Sequence, residues 1–255
     1  MRKLFFTLGL IVAFTSCSNN EVDVIDGEEP AKDNAPSAVK AVDLGLPSGL
    51  KWANMNVGAT KVTAYGDYFA WGETTSKKKY IWESYLLCNG TSSSMTKYGT
   101  KSSYGEVDHK TVLEPKDDAA YVNWGEKWRM PTDDEFDELV ENCYLVCTTN
   151  YDNSGIAGSI VYRAKASSDK GVVISSDETP SSNYSLSDAH IFMPAAGRYE
   201  ESGFSGEGTY GFYWTSSLYL EKCYGAWRQP FGINGVVRMK FQSRCCGFSV
   251  RAVCK

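Results

Sequence analysis

Histidine is nearly missing from this chain: His109 and His190 are the only two in 255 residues, and their spacing does not pair them. Zinc centres draw on clustered imidazoles and thiolates at short fixed spacings, so the sequence argues against a metal site of that kind. His190 lies in an apolar run and reads as a hydrogen-bonded core residue. Basic runs are missing as well. The net charge is −5 and the Lys and Arg residues are scattered, leaving no continuous positive stripe to neutralise a phosphate backbone, so no nucleic-acid partner is expected. Strand and helix signals do not alternate as in a nucleotide-binding sheet. Gly203-x-x-Gly206-x-Gly208 precedes neither Lys-Ser, Lys-Thr nor a helix, and reads as a flexible loop rather than a phosphate cradle.

What is present begins with the N-terminus. Met1, Arg2 and Lys3 are followed by the apolar run Leu4 to Phe14, which is too short to span a bilayer as a mature helix. Phe14-Thr15-Ser16-Cys17 resembles a bacterial lipobox, with Phe where Leu is usual. Residues 1–16 therefore read as a lipoprotein signal peptide and Cys17 as the acylated first residue, giving membrane attachment through a lipid anchor. Residues 17–39 are rich in Asp, Glu, Asn and Pro without an amphipathic period, and read as an acidic flexible tether. Such a tether resembles the surface-export signal of lipoproteins from gut anaerobes; the plainer reading is a solvated linker. Residues 40–255, in a chain that is 42% hydrophobic and 22% charged, suffice for one domain with a sizeable core.

Within that domain, short strand-like runs are separated by Gly, Ser, Asn and Asp: Val42 to Leu44, Leu50 to Asn56, Asp67 to Trp71, Ser159 to Ala164, Val172 to Ser175, Ile191 to Pro194, and several after Gly211. Two helices are predicted. Thr132-Asp133-Asp134-Glu135 has the form of a capping box, followed by Phe136, Leu139, Val140 and Cys143 on one face. A shorter helix is predicted from Pro115 to Trp124, packing through Ala119, Ala120 and Val122 and stopped by Gly125. Asp117, Asp118, Asp133 and Asp134 fall at helix starts, where capping and the helix dipole account for them better than acid–base catalysis. The fold class is α+β.

Six segments carry a family resemblance: VDLGLPSGLKWANMNVGA from Val42, YGDYFAWGET from Tyr65, KTVLEPKDDAAYVNWGEKWRMPT from Lys110, IFMPAAG from Ile191, YWTSS from Tyr213 and RCCGFSVRAV from Arg244. In this order they resemble the Fibrobacter-type major paralogous domain. That family is similar to the C-type-lectin-like fold of formylglycine-generating enzymes and retroelement variable proteins. The resemblance implies short antiparallel strands with two helices over residues 40–255. It does not carry over the enzymes' chemistry, because their Gly-Asn-Val-Trp-Glu-Trp segment and spaced catalytic cysteines are absent. Cys245 and Cys246 are adjacent, and in a strand adjacent side chains point to opposite faces. Lectin-type calcium binding is disfavoured too: Gln229-Pro230-Phe231 and Glu114-Pro115-Lys116 lack the third oxygen ligand, and no Trp-Asn-Asp occurs. No cofactor is implied.

The retroelement proteins display varied side chains between a Tyr-Trp-x-Ser-Ser start and an Arg-x-x-Gly-x-Ser-Val-Arg end, frames that Tyr213–Ser217 and Arg244–Arg251 match. Between them lie Tyr219, Leu220, Tyr224, Trp227, Arg228, Gln229, Asn234, Arg238, Lys240 and Gln242. Arg, Lys and Gln are seldom fully buried, while Tyr, Trp and Arg are enriched at binding surfaces. These residues, Leu220 apart, are the expected ligand-binding set, with an ordinary solvated hairpin face as the plainer alternative. The partner would be an unidentified protein or glycan ligand. Arg129 and Arg251 are expected to bond carbonyls or carboxylates structurally. Seven cysteines remain after Cys17; an odd number cannot all pair, and one or two bridges are expected in an exported protein. Cys143 reads as packing and Cys245 and Cys246 as candidate surface variation. The expectation is a non-enzymatic outer-membrane lipoprotein, facing outward, that serves in binding or adhesion through its C-terminal strands, with a retroelement-diversified receptor as one form of that reading. The alternatives are a structural envelope protein without a specific ligand and a formylglycine-generating-enzyme-like oxidase.

Overall fold

The computed structural model describes residues 33–236 and 240–255; the signal peptide, Cys17 and most of the tether lie outside them. The strands are β1 (Ala41–Asp43), β2 (Lys51–Ala53), β3 (Cys143–Thr148), β4 (Gly158–Arg163), β5 (Val173–Ile174), β6 (His190–Pro194), β7 (Ala196–Glu200), β8 (Gly203–Glu207), β9 (Tyr210–Leu218), β10 (Gly225–Gly232), β11 (Gly235–Val236), β12 (Lys240–Ser243) and β13 (Val253–Cys254). The helices are α1 (Ala119–Trp124) and α2 (Asp133–Asn142). Three sheets result, ordered β1-β2-β13, β5-β3-β4-β6 and β11-β10-β9-β7-β8, with β12 added on β10. The chain is α+β, dominated by short strands that are mostly antiparallel. The last strand pairs with one of the first, Val253 opposite Trp52.

Local signals explain both helices. Thr132 Oγ1 accepts from Glu135 N while Glu135 Oε2 accepts from Thr132 N, completing the capping box, and Phe136 and Leu139 turn inward. Cys143 falls one residue beyond α2, opens β3 and is fully buried. Asp118 caps α1: Oδ1 accepts from Ala120 N at 2.8 Å and Tyr121 N at 3.0 Å, while Oδ2 accepts from Met130 N at 2.8 Å. Burial pushes this carboxyl up to about 6 against the pull of those three donors. Pro115–Asp117 forms a separate 3-10 turn rather than the first turn of the helix. Val122, expected to pack, points outward instead, because a helix of under two turns can face the core on one side only.

The core is divided by the large sheet. Phe212 and Trp214 join Trp71, Trp128, Met130 and Phe248 on one side, whereas Tyr213 joins Trp52, Phe136, Leu139 and Phe231 on the other. Period-2 alternation thus buries both faces of β9. Gly211 suits this crowding: a Cβ there would lie 2.2 Å from the Pro194 carbonyl oxygen. Asp67 to Trp71 forms no strand of its own; it makes the Phe69–Phe248 bridge and single backbone bonds from Asp67 N to Val57 O and from Trp71 N to Arg244 O. The segment 33–39, assigned by sequence to the tether, is tied down at its start, where Asn34 N donates to Trp124 O at 2.7 Å. No helix among the described residues is long and apolar enough to cross a membrane.

Candidate functional site

Both ends of the C-terminal segment are bonded into the interior. Tyr213 Oη donates to Pro194 O at 2.8 Å, Trp214 Nε1 to Phe69 O at 2.8 Å, Thr215 Oγ1 to Trp227 O at 3.0 Å and Ser216 Oγ to Pro131 O at 3.2 Å. Ser217 Oγ accepts from Asp133 N at 3.2 Å. Every polar side chain of the Tyr-Trp-Thr-Ser-Ser motif is therefore occupied by backbone, and the motif is tied to the Arg-Met-Pro-Thr stretch that opens α2.

The second frame is held by two enclosed arginines. Arg244 donates from Nε to Tyr85 Oη at 2.9 Å, from Nη1 to Cys223 O at 2.8 Å and from Nη2 to Lys97 O at 2.9 Å, with its guanidinium 4.9 Å from the Trp71 ring. Arg251 bonds Asn56 Oδ1 twice, at 3.0 and 2.7 Å, and the carbonyls of Ala53 and Phe192 at 3.1 and 2.8 Å. Burial lowers Arg251 to about 10. Arg129 behaves as expected of a half-exposed residue, forking onto Glu135 at 2.7 and 2.5 Å.

Between the frames, the expected ligand-binding set is split. Trp227 opposes Phe241 on one side of the β10–β12 pair; Arg228 opposes Lys240 on the other. Tyr219 stacks on Phe241 at 4.1 Å and meets Trp227 edge-on at 4.9 Å, forming a half-buried aromatic patch. Asn234 and Lys240 are exposed, and Gln242 is half-buried, donating to Glu200 Oε1 at 2.7 Å. Tyr224 is half-buried between Trp82 and Tyr104, away from that patch. Arg238 lies outside the described residues, as does Cys17.

Two members of the set require correction as surface residues. Gln229 is 2% exposed and donates to Pro230 O at 3.0 Å, and Arg228 is 8% exposed. Both are covered because β10 is an interior strand of its sheet, flanked by β9 and β12 and buried on both faces for much of its length.

Arg228 borders a recess of about 390 Å3 whose other walls are Arg198, Ser205, Gly206, Tyr210, Phe212, Pro230 and Lys240. The guanidinium groups of Arg198 and Arg228 lie 4.5 and 4.6 Å from the centre of the Phe212 ring. Burial, and then the like charge of Arg198, lowers Arg228 to about 10. Sequence reasoning missed Arg198, Ser205 and Tyr210. Arg198 carried no motif, and the glycine-spaced stretch expected to be a flexible loop is in fact mostly β8, paired with β7 from Ala196–Glu207 to Glu200–Gly203.

The seven described cysteines are all free and buried. Cys245 and Cys246 are therefore not surface variation. They lie in the turn after β12, where strand alternation does not separate them. Hydrogen bonding between the two thiols raises Cys245 and lowers Cys246. His190 is half-buried, with Nε2 2.9 Å from Tyr151 Oη and Nδ1 2.8 Å from Asp188 O. Among the described residues no group of three or more His, Cys, Asp or Glu is placed to hold a metal ion. Comparison with family models, with curated proteins and with solved structures produced no match.

Proposed function

We propose that this chain is a lipid-anchored cell-envelope binding module of the major paralogous type, with a C-type-lectin-like fold, that meets its ligand with its C-terminal strands. The fold reading is supported by short antiparallel strands with two helices and by the interior positions of the motif residues Trp71, Trp128, Trp214 and Arg251. The observation that carries the functional reading is a contrast along one segment. Its two frames are locked by side-chain bonds to backbone, while Tyr219, Leu220, Trp227, Asn234 and Lys240 between them reach solvent. A rigid support under a partly exposed aromatic patch is what a preorganised recognition surface requires, since little ordering is left to do on binding.

The test is to screen the mature chain against glycan and protein arrays and measure the affinity of any saturable ligand for the Trp227→Ala variant. A fall of about thirtyfold or more is expected for a central aromatic anchor, with an unchanged near-UV circular dichroism spectrum away from the indole contribution. Finding no saturable ligand, or one indifferent to Trp227, sinks the proposal and favours a structural envelope role.

A further inference from the structure

Among the described residues three arginines are more than nine-tenths enclosed: Arg228, Arg244 and Arg251. Two of them spend their donors on carbonyls, a tyrosine hydroxyl and an asparagine oxygen. Arg228 does not. Its Nε and Nη1 are buried with no hydrogen-bond partner among the described residues. Buried donors without partners are costly, and a buried charge without a counter-charge more so, which is why native structures seldom leave either.

The surroundings do not supply what is missing. Arg198 brings a second positive charge to the same Phe212 ring, and Lys240 a third on the strand beside Arg228. Glu200 attracts Arg228 but is shared: its Oε2 lies 2.9 Å from Arg198 Nε without forming a hydrogen bond, and its Oε1 accepts from Gln242. Among the described residues no carboxylate lines the recess; its remaining polar side-chain groups are the hydroxyls of Ser205 and Tyr210. Tyr210 and Pro230 complete an apolar wall. A volume of about 390 Å3 lies at the small end of ligand sites and suits one ring-sized moiety rather than a folded partner.

We propose that the recess between β7, β8, β9, β10 and β12 binds the oxyanion of a small acidic sugar, a carboxylate or a sulfate ester, facing Arg228 and Arg198, with Lys240 at the rim and the sugar ring against Tyr210 and Pro230. Guanidinium groups suit planar and tetrahedral oxyanions alike, and charge-assisted bonds in a partly enclosed site are the strong ones. The proposal deepens the reading of the C-terminal strands as the binding surface and rests on it.

The experiment is titration calorimetry of the mature chain at constant ionic strength with glucuronate, glucose 6-sulfate and, as the neutral control, glucose. Saturable binding of at least one acidic probe and none of glucose is expected. Arg198→Gln should weaken binding about tenfold or more and Lys240→Gln severalfold; both side chains are open enough to solvent for the variants to fold, and circular dichroism checks this. Binding of glucuronate alone assigns a carboxylate, of the sulfate ester alone a sulfate, and of both a site that reads charge. If neither acidic probe binds, or if Arg198→Gln binds as tightly as the parent, the proposal is overturned. When an array ligand depends on Trp227 and the acidic probes still fail, only the recess proposal falls. When the probes bind through Arg198 and nothing depends on Trp227, the aromatic patch is not the recognition surface.

Discussion

Replacing Arg251 and Arg228 in turn by Met should change stability by very different amounts, although both arginines are buried and neither forms an ion pair among the described residues. In Arg251→Met the acceptors Asn56 Oδ1, Ala53 O and Phe192 O each lose a donor. An acceptor stranded in the interior costs about 1–3 kcal/mol. Three of them outweigh the several kcal/mol regained by no longer burying a guanidinium, and Met refills most of the volume, so the expected net loss is about 3 kcal/mol. That is a large share of the roughly 5–15 kcal/mol that holds such a domain together. In Arg228→Met no hydrogen bond from Nε or Nη1 is lost, because none exists among the described residues. The cation–π contacts with Phe212 and Phe248 go, at a cost of about 1–2 kcal/mol, and a buried charge offset only in part by Glu200 goes with them. Stability should therefore stay within about 1 kcal/mol of the parent or rise. Urea unfolding followed by tryptophan fluorescence gives both differences, taken from midpoints at constant slope. If the two variants lose the same stability, donor satisfaction is not what separates these arginines, and the reasoning about the recess loses its foundation.

Asp118 gives a pH prediction. Its folded carboxyl is raised to about 6 from 3.8, so its contribution is complete below about pH 3.8 and is lost as pH climbs through 6, a change of about 3 kcal/mol at most; unfolding midpoints measured from pH 3.5 to 7 should show this decline, and Asp118→Asn should flatten it. Thr132→Ala removes one half of the capping box and should cost about 1 kcal/mol in the same urea assay. Gly211→Ala would press a methyl against the Pro194 carbonyl oxygen at 2.2 Å, and should lower the thermal midpoint by more than the few degrees expected of about 1 kcal/mol. Reduction should leave the intact mass of the native chain unchanged, and the seven cysteines from Cys88 to Cys254 should react with a thiol reagent only after denaturation. Cys17→Ser should release the protein from the membrane fraction, which cell fractionation would show.

What the sequence determined by itself was local. The start of α2 follows from four consecutive residues, Thr132 to Glu135, whose side chains satisfy one another's backbone. The stop at Gly125 follows from its positive φ of 92°, and the runs around Gly158–Arg163 and His190–Pro194 follow from apolar strand formers between turn residues. The structural roles of Arg129 and Arg251 were legible from the motifs around them. Tertiary structure decided which side of each strand meets the core. Alternation separates Trp227 from Arg228 in any strand, but only the covering of β10 by its neighbours buries Gln229 and leaves Trp227 half-open. The glycines from Gly203 to Gly208 resemble a loop because the pairing that makes β8 a strand comes from β7. Arg198 and Arg228 are thirty positions apart in sequence, and they share the Phe212 ring only because β9 lies between β7 and β10. Short-range chemistry specifies caps, turns and alternation, whereas burial and unmatched charge belong to the assembled sheets.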